Sequence, residues 1–266
     1  MLTLAATPIG NLEDCSLRLA RVLKEADHVF AEDTRHSAKL LAYLGIEKKL
    51  QAFHDHSPPQ VLARLEKLIQ TDHVVYISDA GTPAINDPGF ELVRSAHRLG
   101  VPVDALPGPC AAINGLILSG LPTHAFCFLG FFPQTQEKRQ KVLARLRTWQ
   151  ITAIFYEAPT RIHAALNFMA QVIPQTQLAL CREMTKLHQE VLRGTAGEIL
   201  ASLKQTKGEM VLIIAPVTEK AARPSMEARF QELLKEGTSP AAAAKILARE
   251  YGGNKRDIYQ KLVTKM

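Results

Sequence analysis

VVYISDAGTPAINDPG, residues Val74–Gly89, decides how the rest of the chain is read. Its first four residues are apolar and predict a buried strand. The remainder holds Asp79, Gly81, Thr82, Pro83, Asn86, Asp87, Pro88 and Gly89. A loop this dense in turn formers, at the carboxyl end of a strand, is where open α/β sheets place ligand sites. It has two carboxylates, no Lys or Arg, and prolines that remove backbone donors. Those features suit a small cationic or polyhydroxyl ligand better than a phosphate. Asp87–Pro88–Gly89 taken alone reads equally well as a turn capping the next helix.

Outward from that loop the pattern repeats. Short apolar runs predict strands at Leu2–Ala6, His28–Ala31, Val101–Ala105, Phe126–Gly130, Ile151–Tyr156, Leu178–Cys181 and Met210–Ala215. Amphipathic stretches between them predict helices, and this alternation specifies α/β sheets. Leu121–Pro122–Thr123 is the best boundary between two such units, giving domains over 1–120 and 121–218. Beyond it, 219–266 reads as a tail of three helices, Met226–Lys235, Pro240–Glu250 and Lys255–Lys265, with Ser239 and Pro240 as N-cap and first helical residue.

With 266 residues and 47% hydrophobic content the chain can bury a sizeable core. No apolar run approaches the roughly 18 residues of a membrane helix. Met1–Ala5 leads directly into a strand, so no signal peptide is expected. Cys15, Cys110, Cys127 and Cys181 are scattered without CxxC spacing, which predicts free thiols in a reducing cytoplasm. Of the net charge of +6, the segment Lys220–Met266 carries +5, from ten bases and five acids. A basic appendage fits nucleic-acid contact, although solubility alone explains it as well.

Several chemistries are absent. There is no GxGxxG after a strand, no GxxxxGK[ST] and no GxSxG elbow. His54–Asp55–His56 offers two histidines without a third clustered ligand, so a solvated loop is the simpler reading and no metal is expected.

Seven loop motifs stand in order: TPIGNLED from Thr7, AEDTR from Ala31, SDAGTPAINDPG from Ser78, LPGPCAA from Leu106, YEAPTR from Tyr156, REMTK from Arg182 and KGEMVLI from Lys207. Together they resemble the tetrapyrrole methylase superfamily, S-adenosyl-L-methionine-dependent methyltransferases that lack the Rossmann GxG loop. Within it they are similar to the branch that methylates small-subunit ribosomal RNA. The resemblance covers about residues 2–215, and the tail is compatible with it. One departure is Ala5 and Ala6 in the first strand, where bulkier residues are usual; local repacking is expected.

The resemblance implies two α/β domains with the cofactor in the cleft between them, usually in a homodimer. It also implies methylation of the ribose 2′-hydroxyl of a cytidine in the decoding region of 16S rRNA, within the small ribosomal subunit. Carried over by position, Pro8 in the first loop contacts the cofactor. Asp79, Ala80, Gly81, Thr82 and Ile85 surround its methionine part. Cys110, Ala111 and Ala112 lie against it, and Tyr156, Glu157, Gly208 and Met210 wall the adenosine. Plain core packing is the alternative for the Ala and Met positions.

A ribose hydroxyl is a poor nucleophile until its proton is drawn away. Glu183 and Lys186 in REMTK are candidates for that task, as are Glu32 and Asp33. Glu183 and Lys186, three residues apart, could equally do no more than pair with each other. A neutral lysine would require a depressed pKa. Arg35, Arg161 and Arg182 beside the loops, with Lys255 and Arg256 in the tail, are candidate RNA contacts. Two other functions remain open: a tetrapyrrole or small-molecule methylase, and a non-catalytic RNA-binding assembly protein. The basic tail with AEDTR and REMTK argues against the first, and intact cofactor-type loops against the second.

Overall fold

The structure is a computed structural model that describes residues 1–218 and 226–263. Contacts divide the chain into two compact units, Met1–Glu219 and Lys220–Met266. Each unit is described by itself.

The larger unit contains two five-stranded sheets. The first has β1 (Leu2–Ala5), β2 (His28–Ala31), β3 (Leu50–Ala52), β4 (Val74–Ile77) and β5 (Val103–Leu106), in the order β3-β2-β4-β1-β5. Every pairing in it is parallel. Helices α1 (Leu17–Glu25), α2 (Thr34–Tyr43), α3 (Pro59–Thr71) and α4 (Gly89–Arg98) connect the strands.

The continuous apolar run of β4 has a simple cause, because successive side chains enter opposite cores. Val75 and Ile77 pack with Leu19, Leu23, Leu40 and Leu41. Val74 and Tyr76 pack with Leu65, Ile69, Leu92 and Ala96. A parallel sheet puts all its carboxyl ends on one edge, so the loops after β1, β2, β4 and β5 converge there.

The second sheet comprises β6 (Phe126–Phe131), β7 (Thr152–Glu157), β8 (Leu178–Arg182), β9 (Glu190–Gly194) and β10 (Met210–Ile214), ordered β6-β7-β10-β8-β9. Here β10 is antiparallel to both β7 and β8, with Met210 opposite Glu157 and Arg182. The amino end of β10 therefore meets the carboxyl ends of β7 and β8. That places KGEM beside YEAPTR and REMTK.

One face of this sheet is covered by α6 (Gln136–Trp149), α7 (Ile162–Val172) and α8 (Ala196–Ser202), through Leu146, Leu166, Met169 and Ile199. The other face receives α5 (Ala111–Ser119), whose Ala112 and Leu116 join a cluster with Ile154, Cys181, Val211 and Ile213. Packing thus changes sheets before α5. The chain boundary expected at Leu121–Thr123 follows that helix, because Gly115 lets α5 lie directly on Val211.

β3 and β9 are not among the expected strands. Leu50–Gln51–Ala52 is short, and Glu190–Gly194 is a half-buried edge strand carrying polar residues, so neither shows an apolar run. Ala5 and Ala6 are buried, and Ala6 lies against Gly108. Small side chains at both positions allow that close approach.

The smaller unit contains α9 (Met226–Lys235), α10 (Pro240–Tyr251) and α11 (Lys255–Val263) around Phe230, Leu233, Leu247, Ile258 and Leu262. The Ser239 side chain accepts from the Ala242 N–H and Pro240 follows it in the first turn. The expected continuation of the last helix to Lys265, and the tail residues 219–225, lie outside the described residues. No helix among the described residues is long and apolar enough to cross a membrane.

Candidate functional site

The loops of the two sheets face each other across the larger unit and are tied directly. The Asn11 N–H donates to Thr185 Oγ1 at 3.0 Å. Gly10 approaches Lys186 so closely that a Cβ there would lie 2.6 Å from Lys186 Cγ. Thr7 and Gly81 exchange backbone hydrogen bonds of 2.9 and 3.1 Å, which fixes the β4 loop against the β1 loop. The Thr82 hydroxyl adds a 3.0 Å bond to the Pro109 carbonyl.

Between these loops lies an apolar cavity of about 310 Å³. Ile9, Ala80 and Ala111 wall it from the first sheet's side, and Phe131, Tyr156, Met184 and Met210 from the second's. A second cavity of about 280 Å³ adjoins it, with Ile9, Ala80 and Glu209 lining both. Its further lining adds the polar side chains of Ser37, Ser78, Asp79, His36, Lys39 and Lys186 to the apolar ones of Pro8, Leu12 and Leu40. Ligand sites of this kind are apolar cavities with few, placed polar groups.

Among the residues expected at the cofactor, Ala80, Ala111, Tyr156, Glu157, Gly208 and Met210 line the apolar cavity. Pro8 and Asp79 line the polar one. Gly81, Thr82, Cys110 and Ala112 stand behind the walls. Gly81 and Thr82 hold loops together, while Cys110 and Ala112, at the start of α5, pack into the core it shares with the second sheet. Ile85 is exposed and lines neither cavity. Ile9, Phe131, Met184 and Glu209 line the site without having been singled out; Ile9, Met184 and Glu209 lie inside quoted motifs, while Phe131, at the end of β6, lies in none.

Glu157 is the one deeply buried carboxylate of the apolar cavity, with a side chain 1% exposed. Its Oε1 accepts from the Ala158 N–H at 2.7 Å and pairs with Arg161 at 2.8 Å, while Oε2 has no partner. Burial raises its pKa against the opposing pull of Ala158 N–H and Arg161. The Tyr156 phenol is pushed up to about 12, chiefly by burial. It stays neutral, with the Ala112 N–H reaching its oxygen.

An orphaned carboxylate oxygen among apolar walls fits S-adenosyl-L-methionine. The adenine and methyl group need apolar contact, and the amine or hydroxyl groups need an acceptor.

Glu183 and Lys186 pair at 2.9 Å, and Lys186 also meets Glu209 Oε2 at 2.9 Å. Burial would lower the Lys186 pKa, but its bonds to Glu183 and Glu209 outweigh it and the net shift is upward. Glu183 shifts downward overall, since Lys186 and the Glu209 N–H outweigh the effect of burial. The lysine is therefore an ammonium held between two carboxylates. Glu32 receives the Asp79 N–H at 3.3 Å, and Asp79 Oδ1 receives the Asp33 N–H at 2.8 Å. Asp33 itself caps α2 and pairs with Arg35.

Backbone strain gathers at the same loops. Ala84, Asn86, Glu183 and Thr185 all have positive φ, from +49° to +69°. Such conformations persist where surroundings over-determine them, often at ligand sites. Asp87 Oδ1 accepts from the Ala84 and Gly89 N–H groups, so this turn is braced from within as well as capping α4.

The candidate RNA contacts separate into two kinds. Arg35, Lys255 and Arg256 are exposed. Arg182, expected at the cleft mouth, is instead 7% exposed, with Nε on Glu190 at 3.1 Å and Nη1 on the Lys207 carbonyl at 3.3 Å. It ties β8 to its neighbours, since a strand residue opposite Glu190 points along the sheet edge. Arg161 is held by Glu157 and lies over Phe131 at 5.5 Å. His54 and His56 are exposed, and no group of three or more metal-type ligands occurs among the described residues.

Comparison with known proteins agrees with this geometry. The family described as Tetrapyrrole (Corrin/Porphyrin) Methylases matches residues 1–200. The chain is 40% identical to ribosomal RNA small subunit methyltransferase I of Halalkalibacterium halodurans, covering 97% of this chain and 93% of that one. It is likewise 40% identical to the protein of that name from Xylella fastidiosa, covering 97% of each. Among solved structures it resembles diphthine synthase (TM-score 0.66, 15% identity, 80% of this chain and 89% of that one). A uroporphyrin-III-C-methyltransferase from Thermus thermophilus is similar in fold (TM-score 0.56, 19% identity, 90% and 99%). The chain belongs to the tetrapyrrole methylase family, among the ribosomal RNA small subunit methyltransferase I proteins, and is an S-adenosyl-L-methionine-dependent methyltransferase.

Proposed function

We propose that this protein methylates the ribose 2′-hydroxyl of a cytidine in the decoding region of 16S rRNA, acting on the small ribosomal subunit as a homodimer. The observation that carries the reading is kinship of about 40% along nearly the whole chain, basic tail included, with proteins named for small-subunit rRNA methylation. The solved neighbours, all under 25% identical, support only the fold.

S-adenosyl-L-methionine supplies an electrophilic methyl group on a sulfonium. In this reading Ala80, Ala111, Tyr156, Gly208 and Met210 hold it by apolar contact, and Glu157 Oε2 accepts one of its donors. Asp79 and Pro8 line the second cavity, each next in sequence to a residue shared by both, and take the methionine side. Most of the acceleration then comes from fixing nucleophile and methyl in line in a site shielded from water. Lys186 and Glu209 line the second cavity, and Glu183 behind them completes a charged trio through Lys186. The Lys186 ammonium stabilises negative charge growing on the acceptor oxygen, and a carboxylate of the trio receives its proton.

Arg35 and the tail's Lys255 and Arg256 supply backbone neutralisation for RNA. The exposed Ile113 and Ile117 on α5 support a covered face in a homodimer.

The test is transfer of labelled methyl from S-adenosyl-L-methionine to purified small subunits, followed by alkaline hydrolysis of the rRNA. A 2′-O-methyl group blocks cleavage at one position, and that block is the expected result. Label confined to small tetrapyrroles, or rRNA that is labelled yet cleaved everywhere, overturns the reading.

A further inference from the structure

The polar cavity has features that holding the cofactor does not use. Ser78 follows β4 and is 3% exposed, yet its hydroxyl has no hydrogen-bond partner. A buried hydroxyl left unpaired is costly, and such groups persist where something outside the chain completes them. His36 and Lys39 lie one helical turn apart on α2 and also line this cavity. Both are exposed, and neither takes part in an ion pair among the described residues. Arg35 next door, by contrast, is paired with Asp33 and lines neither cavity.

The two acids of the same cavity are engaged. Asp79 Oδ1 holds the Asp33 N–H, and Glu209 Oε2 holds Lys186. Lys39 is thus a cation of this lining without an ion-pair partner among the described residues, and the unpaired hydrogen-bonding group is the Ser78 hydroxyl at the floor.

We propose that this cavity is the acceptor-nucleotide pocket, with Ser78 against the ribose of the target nucleotide and Lys39 and His36 on an adjoining phosphate. The chemistry matches a sugar–phosphate unit: a neutral donor–acceptor at depth, with the Lys39 ammonium and the His36 imidazole N–H as donors at the rim. The shared wall of Ile9 and Ala80 puts that ribose next to the apolar cavity. The unpaired target base is left free to be held by its own RNA surroundings. This inference rests on the rRNA reading above and adds to it the residues that seat the acceptor. It makes Lys39 and His36 positioning residues.

Steady-state methylation of small subunits tests it, alongside cofactor binding by calorimetry. Lys39→Met is expected to raise KM for subunits roughly tenfold, leaving kcat within about twofold and cofactor affinity unchanged. The log–log salt slope of subunit binding should fall by about 0.7, the share of one phosphate contact on a single strand. Lys39→Arg should recover the wild-type KM, and Lys67→Met, on the exposed face of α3, should leave it unaltered. Ser78→Ala should lower kcat/KM with no loss of Tm, since the hydroxyl has no partner inside the protein.

Wild-type KM and salt slope in Lys39→Met would overturn the pocket while leaving the function standing. A Ser78→Ala protein that loses Tm and keeps kcat/KM would also overturn it. Wild-type protein that transfers nothing to rRNA would instead bring down the functional reading itself.

Discussion

At the scale of single residues, Glu157 and Gly208 define the cavity most sharply. Glu157→Gln keeps the shape and the Ala158 contact but removes the charge on an oxygen that has no internal partner. A charge-assisted hydrogen bond contributes about 1.5–3 kcal/mol, so cofactor affinity by calorimetry should fall at least tenfold. Asp79→Ala should also weaken it, by releasing the Asp33 loop as well as removing one carboxylate of the second cavity. Unchanged affinity in both variants would exclude this site. Gly208 has φ +84° and packs on Glu183 so tightly that a Cβ would fall 2.1 Å from its carboxylate oxygen. Gly208→Ala should therefore cost more than about 1 kcal/mol in denaturant unfolding and displace Glu183, with methyl transfer lowered at least tenfold. Most of these positions are legible in the sequence because they sit in short motifs of fixed residue type. Arg182 shows the limit. A loop-side arginine reads as a phosphate contact, and only the pairing of β8 with β9 reveals that Glu190 captures it.

Among the elements, β4 with its loop is the best-specified part of the chain, since its apolar run and its turn residues dictate buried strand and braced loop separately. The carboxylates gathered around that loop, Glu32 from the neighbouring β2 loop and its own Asp87, carry a pH-dependent load. Burial first, and then repulsion from Asp79, Asp87 and Asp55, raises the Glu32 pKa, and burial raises that of Asp87 as well. Carboxyls whose folded pKa exceeds the unfolded value stabilise the fold at low pH and lose that contribution as pH rises through the folded value. Glu32→Gln should thus raise Tm near neutrality and leave it unchanged in acid, so that the difference between variant and wild type grows with pH above the ordinary carboxylate range. A difference independent of pH would contradict this. Helix α5 is less legible. Its sequence is apolar on most sides, and nothing local says that it crosses to the second sheet. Gly115, whose Cβ would lie 2.9 Å from Val211, records that packing. Gly115→Val should overpack the contact and cost about 1–3 kcal/mol. β3 and β9 escape sequence reading for the opposite reason, being short or polar edges held by neighbours rather than by their own apolar pattern.

For the whole molecule, alternation of strand and helix announces α/β sheets, but direction does not follow from it. The antiparallel placement of β10 is a tertiary result, and it is what brings Gly208–Met210 to the edge where Tyr156–Glu157 and Glu183–Lys186 lie. Six of the seven separated motifs thereby line two adjoining cavities, one holding a buried carboxylate with an orphaned oxygen and the other lined by Lys186 and Glu209 of the charged trio. The central claim is that the acceptor atom is a ribose oxygen of small-subunit rRNA. It is tested most directly by methylating small subunits with labelled S-adenosyl-L-methionine, digesting the rRNA to nucleosides and identifying the labelled species by mass spectrometry. The expected product is cytidine carrying the methyl on its sugar. Label on a base, or on no nucleoside at all, would contradict it.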